Sequence, residues 1–151
     1  MKWDYEESVK QIMLHWLDKK GYTYEVPKTD TLHGVDIRRQ SPVQRRYWFI
    51  EVKGAPQDTY QKGKRKGTRK RTRSQFSQRY IWFVSALGQI ALRMEQEHGN
   101  YGIALPDMPY NRKFAMRVRL FRKRAKVHFF LVDKTKRVSQ LTPGSAYFKR
   151  V

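Results

Sequence analysis

The stretch Arg45-Arg46-Tyr47-Trp48-Phe49-Ile50-Glu51-Val52-Lys53-Gly54 decides the fold of this 151-residue chain. Tyr47, Trp48, Phe49, Ile50 and Val52 favour extended structure and predict a strand over 45–53. Both of its faces are apolar, the pattern of a central strand covered on two sides. Side chains two apart on a strand share a face, so Glu51 and Lys53 project together from its C-terminal end. Upstream, 34–38 is a short strand candidate, and Pro42 marks a turn within 40–44. Antiparallel pairing across that turn brings Asp36 beside Glu51. Two carboxylates converging at a sheet end suit a hard divalent cation such as magnesium. An adjacent ammonium orients a water or stabilises charge on a phosphate, which is the chemistry of phosphodiester hydrolysis.

Working outward, residues 3–20 predict a helix, with Tyr5, Val9, Ile12, Met13, Trp16 and Leu17 on one stripe and Gly21 as its stop. Residues 22–26 suggest a strand closed by Pro27. Glycines, Pro56 and dense charge make 54–73 a long loop. Residues 75–97 form the longest helix candidate, apolar nearly all round its middle and therefore expected to be buried. Residues 101–105 read as a strand stopped by Pro106. Phe114, Val118, Phe121 and Ala125 sit at helical spacing, so 111–126 predicts one basic amphipathic helix, with a strand over 116–120 as the competitor. Strands follow at 127–132 and, more weakly, 137–141. The expected order is a helix, three strands in a meander, then α, β, α, β: an α/β domain over 1–142 around a mixed central sheet flanked by helices, with a loose tail at 143–151.

The chain carries 33 basic and 13 acidic side chains, a net +20, and the excess is clustered. Residues 62–73 hold eight basic groups and no acid, and 112–126 hold another eight. The other 124 residues carry 17 basic and 13 acidic groups, a near-ordinary balance. Clustered positive charge calls for a polyanionic partner, most often nucleic acid. The absence of cysteine excludes disulfides, thiolate catalysis and Cys-ligated zinc or iron–sulfur centres. No apolar leader opens the sequence and no apolar run is long enough to span a bilayer, so the expectation is an intracellular protein, cytoplasmic or nucleoid-associated, with no membrane partner. No Gly-x-Ser-x-Gly element, P-loop, zinc-finger or RNA-recognition signature appears, so no nucleotide cofactor is expected. The four histidines lack the spacing of a helical metal pair; His33, three residues before Asp36, is more simply a polar loop residue.

The pattern Gly34-Val35-Asp36-Ile37 followed by Phe49-Ile50-Glu51-Val52-Lys53-Gly54 resembles the PD-(D/E)XK nucleases, which share the restriction-endonuclease-like αβββαβ core. The resemblance spans residues 3–105, with 127–132 as an added strand. It implies that Asp36, Glu51 and the peptide carbonyl of Val52 bind Mg²⁺, with Mn²⁺ as a substitute, and that Lys53 orients water or stabilises charge. Many members carry an acid in the opening helix. Glu6, at the edge of the core-facing stripe, is preferred over Glu7, although an acid near a helix N-terminus is also favoured by the dipole. Ala86-Leu87-Gly88-Gln89 resembles the family's glutamine box, which makes Gln89 an active-site-facing polar residue; a glutamine in so apolar a helix needs a partner in any case. Val35 stands where the family's proline would be, and Arg93 where some relatives have a tyrosine.

The function implied is a metal-dependent endonuclease, most naturally acting on DNA, with structure-selective cleavage, as in Holliday-junction resolvases of this fold, among the roles left open. Lys62, Lys64, Arg65, Lys66, Arg69, Lys70, Arg71 and Arg73 would grip phosphates from a loop expected to be disordered without DNA. Arg117, Arg119, Arg122, Lys123 and Arg124 would supply a second set from the basic helix. Such contacts position a nucleic acid without reading its sequence. One centre per chain suggests a homodimer for cutting both strands. The alternatives are a non-catalytic nucleic-acid-binding protein using the same fold as a basic scaffold, and an RNA-associated basic protein.

Overall fold

A computed structural model describes residues 2–23, 36–43, 46–94 and 99–151. The apolar positions condense into two clusters on opposite faces of one sheet. On one face, Val9, Met13 and Leu17 of helix α1 (Glu6–Lys19) pack on Ile37, Ile50, Val52, Ala104 and Phe130. On the other, Phe83, Ala86 and Ile90 of helix α2 (Thr72–Leu92) cover Phe49, Ile103, Leu105, Phe129 and Leu131. Residues 49 and 50 thus point to opposite layers, as the pleat requires. Helices α3 (Pro109–Arg117) and α4 (Arg119–Ala125) complete the second layer through Phe114, Ala115, Phe121 and Ala125.

The result is an α/β structure with an open, mixed, six-stranded sheet and four helices among the described residues. Strands β1 (Ile37–Gln40), β2 (Tyr47–Val52), β3 (Asn100–Pro106), β4 (Val127–Val132), β5 (Val138–Leu141) and β6 (Lys149–Arg150) lie in sequence order. β1 runs antiparallel to β2; β2, β3 and β4 are mutually parallel; β5 and β6 return antiparallel. The parallel pairs need crossovers, which α2 and the α3–α4 pair provide. No helix among the described residues is long and apolar enough to cross a membrane.

Residues 24–26 of the strand expected at 22–26 lie outside the described ones, as do Gly34, Val35 and His33, and its Thr23 bridges Gln40 antiparallel. Several expectations are corrected. α2 starts at Thr72 and stops at Leu92, short of the predicted 97. It is not buried all round: Phe76, Tyr80, Ile81 and Val84 are exposed, because only its sheet-facing side has a layer to pack on. The 111–126 helix is two helices broken at Val118, and no strand forms at 116–120. The 54–73 loop is not structureless. Lys70 N–H donates to Asp58 O (2.7 Å), Tyr60 N–H to Thr68 O (3.0 Å) and Gly67 N–H to Tyr60 O (2.8 Å), forming a hairpin over 58–70. Its tip turns at Gly63 and Gly67, which hold φ of 80° and 81°. The 143–151 tail is also docked: β6 pairs with β5, and Phe148 packs on the second-layer core.

Arg122 overturns its expected role. It is fully buried, and its Nη1 donates to the carbonyls of Thr142 and Ser145. It therefore pins the 142–145 turn to α4 and is not on the surface to meet a phosphate. Arg122→Met should cost about 2–4 kcal/mol in urea unfolding, since it orphans those carbonyls. Nucleic-acid affinity should stay unchanged under conditions where the variant is folded.

His128 on β4 gives the fold an acid limit. Its ring meets Trp48 edge-on at 4.8 Å, and Nδ1 lies 2.9 Å from the Gln140 amide nitrogen, which makes Nδ1 the acceptor of a neutral imidazole. Burial pushes its pKa down from 6.5 to about 4. The unfolded chain thus takes up a proton near pH 6.5 that the folded chain refuses until about pH 4. Stability from this group is complete above pH 6.5 and falls across that window, by about 3 kcal/mol at the acid end. A Tm series from pH 7 to 4.5 should show this slope, flattened in His128→Gln.

Candidate active site

The β1–β2 register sets the site. Ile37 pairs with Ile50, so Asp36, one residue earlier, falls opposite Glu51 on the face covered by α2. Asp36 Oδ2 accepts the Val52 N–H at 2.7 Å. N–H and C=O of one strand residue point to the same edge, so the Val52 carbonyl also faces the Asp36 side. Glu51 is only 1 % exposed. Its Oε1 lies 2.9 Å from Lys53 Nζ, and its Oε2 accepts from Arg93 Nη1 at the C-terminal cap of α2. Burial holds the Glu51 carboxyl above the ordinary glutamate range; Asp36 pushes the same way, while Lys53 and Arg93 pull it back.

Lys53 and Glu6 are brought together from different layers. The backbone of residues 4–6 lies against Gly54, with Ala55 N–H donating to Asp4 O at 2.7 Å. Glu6, Lys53, Trp82 and Ser85 then line one cleft of about 160 Å³. Glu7 has turned to pair with Gln11 on the exposed surface of α1. Gln89 lies on α2 between Ser85 and Arg93, one turn from each, and its buried Oε1 has no hydrogen-bond partner. Asp36, Glu51, Lys53 and Glu6 therefore meet at one sheet end, from α1 and the β1–β2 pair, while Gln89 shares a side of α2 with Ser85 and Arg93.

Arg93, Trp82 and Ser85 were not foreseen as site residues. Their signal was present: residues 82, 85, 89 and 93 follow helical spacing along the side of α2 that contains Gln89. What the spacing does not show is that the Arg93 guanidinium reaches across to Glu51 Oε2.

No family model matches the chain, and no curated protein or solved structure matches it either. The site is thus read on its own geometry. Its donor set fits a hard cation. Asp36, Glu51 and the Val52 carbonyl are oxygen donors, and the orphaned Gln89 oxygen is an acceptor waiting for a donor such as a metal-bound water. Among the described residues no cluster of three or more His, Cys, Asp or Glu side chains forms, so two carboxylates would be assisted by backbone and water, as magnesium prefers. Arg93 is the competing cation: it already balances one oxygen of Glu51.

The expected phosphate contacts divide by exposure. Lys62, Lys64, Arg65, Lys66 and Arg69 stand exposed on the hairpin, with Arg71 and Arg73 just after it. Lys70 is half-buried and donates to Gln57 O (2.6 Å) and Gln78 Oε1. Arg117, Arg119, Lys123 and Arg124 are exposed on α3 and α4, and Arg122 is withdrawn into the core.

Proposed function

We propose that this protein is a metal-dependent nuclease of the restriction-endonuclease-like fold that hydrolyses phosphodiester bonds in DNA. The observation that carries this reading is the buried Glu51 carboxylate, set opposite Asp36 and 2.9 Å from the ammonium of Lys53, a residue that lines a cleft. A buried carboxylate beside a second one is a candidate functional site, because a cation there relieves the repulsion between them. Asp36, Glu51 and the Val52 carbonyl would hold a magnesium ion, which when bound activates water and neutralises the leaving oxyanion. Lys53 donates to Glu51 and has further protons to place on a water or a phosphate oxygen. Glu6, across the cleft, is available to accept a proton. Gln89, on the side of α2 that carries Ser85 and Arg93, has an unpaired oxygen to offer to a water. The hairpin supports a nucleic-acid substrate, because Lys70 and Arg73 line a neighbouring cleft that shares Trp82 with this one.

One observation favours the alternative of a non-catalytic, basic nucleic-acid-binding scaffold: Arg93 already occupies Glu51 Oε2. Incubation with supercoiled plasmid and with branched DNA, in magnesium or manganese against EDTA, separates the two. Metal-dependent cutting supports the nuclease. Binding that weakens steeply with salt, with no cutting in any metal, supports the scaffold.

A further inference from the structure

We propose that the cleft between the basic hairpin and α2 receives an unpaired nucleobase beside the phosphate to be cut, so that the preferred substrate is single-stranded or branched nucleic acid. This rests on reading the Glu51 site as a phosphodiester-cleaving centre.

The cleft is the larger neighbour of the catalytic one, about 600 Å³, and Tyr60, Lys70, Arg73, Ser74, Gln78 and Trp82 line it. That volume lies within the range of small-ligand pockets, roughly 300–1,000 Å³. Phosphate binding would account for the cations and the serine hydroxyl. It does not account for two aromatic rings set among them. Aromatic rings interleaved with cations are the platform on which successive unpaired bases stack, whatever their sequence.

Gln78 adds a polar edge. Lys70 Nζ donates to its Oε1, and a lysine has no acceptor to offer, so the amide oxygen is fixed toward Lys70. The Nε2 protons are left for the acceptor atoms present on the edge of every base. In a duplex those faces are stacked and cannot reach Tyr60 or Trp82 unless the base is extruded.

The two clefts are neighbours: Trp82 lines both, and Glu6, Lys53 and Ser85 line the smaller one with it. At about 100° per residue, Ser74, Gln78, Trp82, Ser85 and Gln89 of α2, and Arg93 at its cap, fall within roughly 100° of arc. One helix face therefore carries a strand's path from the base-stacking cleft to the Glu51 carboxylate.

Binding in EDTA tests this without requiring catalysis. A twelve-nucleotide oligothymidylate, an abasic strand of the same length and charge, and a duplex of the same length are compared at fixed salt. Wild-type protein should bind the oligothymidylate about tenfold or more tightly than the abasic strand, the size of one base stack. Tyr60→Ala and Trp82→Ala should each remove most of that difference, and Tyr60→Ala should leave duplex binding within twofold. Trp82→Phe, which keeps a ring, should retain part of it and guards against a folding artefact. Equal binding of the oligothymidylate and the abasic strand by wild type overturns the proposal, as does a uniform loss on all three ligands in folded variants. If base-dependent binding appears in a protein that never cuts, the nuclease reading fails and the pocket stands. If the protein cuts paired and unpaired substrates alike with no base-dependent binding, the pocket fails and the nuclease stands.

Discussion

Asp36→Asn should lower metal-dependent cleavage by about a thousandfold, near 4 kcal/mol of transition-state free energy, with little loss of stability. The two effects separate because the proposed nuclease gives Asp36 a second job beside its backbone hydrogen bond. Its Oδ2 accepts the Val52 N–H at 2.7 Å, and an asparagine keeps an oxygen for that bond. The charge needed to hold a divalent cation is what the substitution removes. Lys53→Met should cost about a hundredfold, since the cation remains but a donor to water or phosphate is lost. Glu51→Gln is a poorer probe. Glu51 is buried against Lys53 and Arg93, and neutralising it strands both, so folding and activity would fall together. Arg93→Ala should lower the magnesium concentration for half-maximal cleavage, because it frees Oε2 of Glu51 from its competing cation. Plasmid nicking rates across a magnesium titration, with Tm for each variant, measure all of this. Wild-type rates in Asp36→Asn would exclude Asp36 as a metal ligand.

The neighbourhood of Glu51 was legible because it depends on local rules. A dense β-favouring run fixes a strand, period two puts Glu51 and Lys53 on one face, and a short turn fixes the antiparallel neighbour that carries Asp36. β4 was equally plain, with observed bounds of Val127–Val132. The failures share a different cause. The stripe Phe114, Val118, Phe121, Ala125 continues in phase across the break at Val118, so periodicity could not reveal two helices. Arg122 sits among exposed basic residues, and only the carbonyls of the 142–145 turn, more than a dozen positions away, draw it inward. α2 is apolar on several faces, which reads as burial on all of them, yet the fold supplies only one layer to cover it. In the hairpin, glycines and charge density argued for an open loop, yet two of those glycines are what allow its tip to turn. Sequence pattern reports what a segment prefers; which faces find partners is decided by the rest of the chain.

Gly54→Ala should be the most damaging substitution of one small residue for another, and it should reach the site through the backbone. A Cβ at position 54 would lie 2.3 Å from the Glu6 nitrogen and 2.9 Å from the Tyr5 carbonyl carbon. Both are backbone atoms, so no side chain can swing away. The start of α1 must retreat from the end of β2, breaking the bond from Ala55 N–H to Asp4 O and opening the cleft between Glu6 and Lys53. A loss of about 3 kcal/mol is expected, at the upper end for overpacking because the obstacle is main chain. Activity should fall further than stability alone explains, since Glu6 moves while Asp36 and Glu51 remain on the sheet. Gly88→Ala is the matched control: it lies exposed within α2 with nothing within 4 Å of a new Cβ, so it should gain about 1 kcal/mol from helix propensity. Urea unfolding of both variants, with cleavage assayed well below their midpoints, gives the comparison. If Gly54→Ala were as stable and active as wild type, α1 would not rest on β2 at this point, and Glu6 would lose its place in the site.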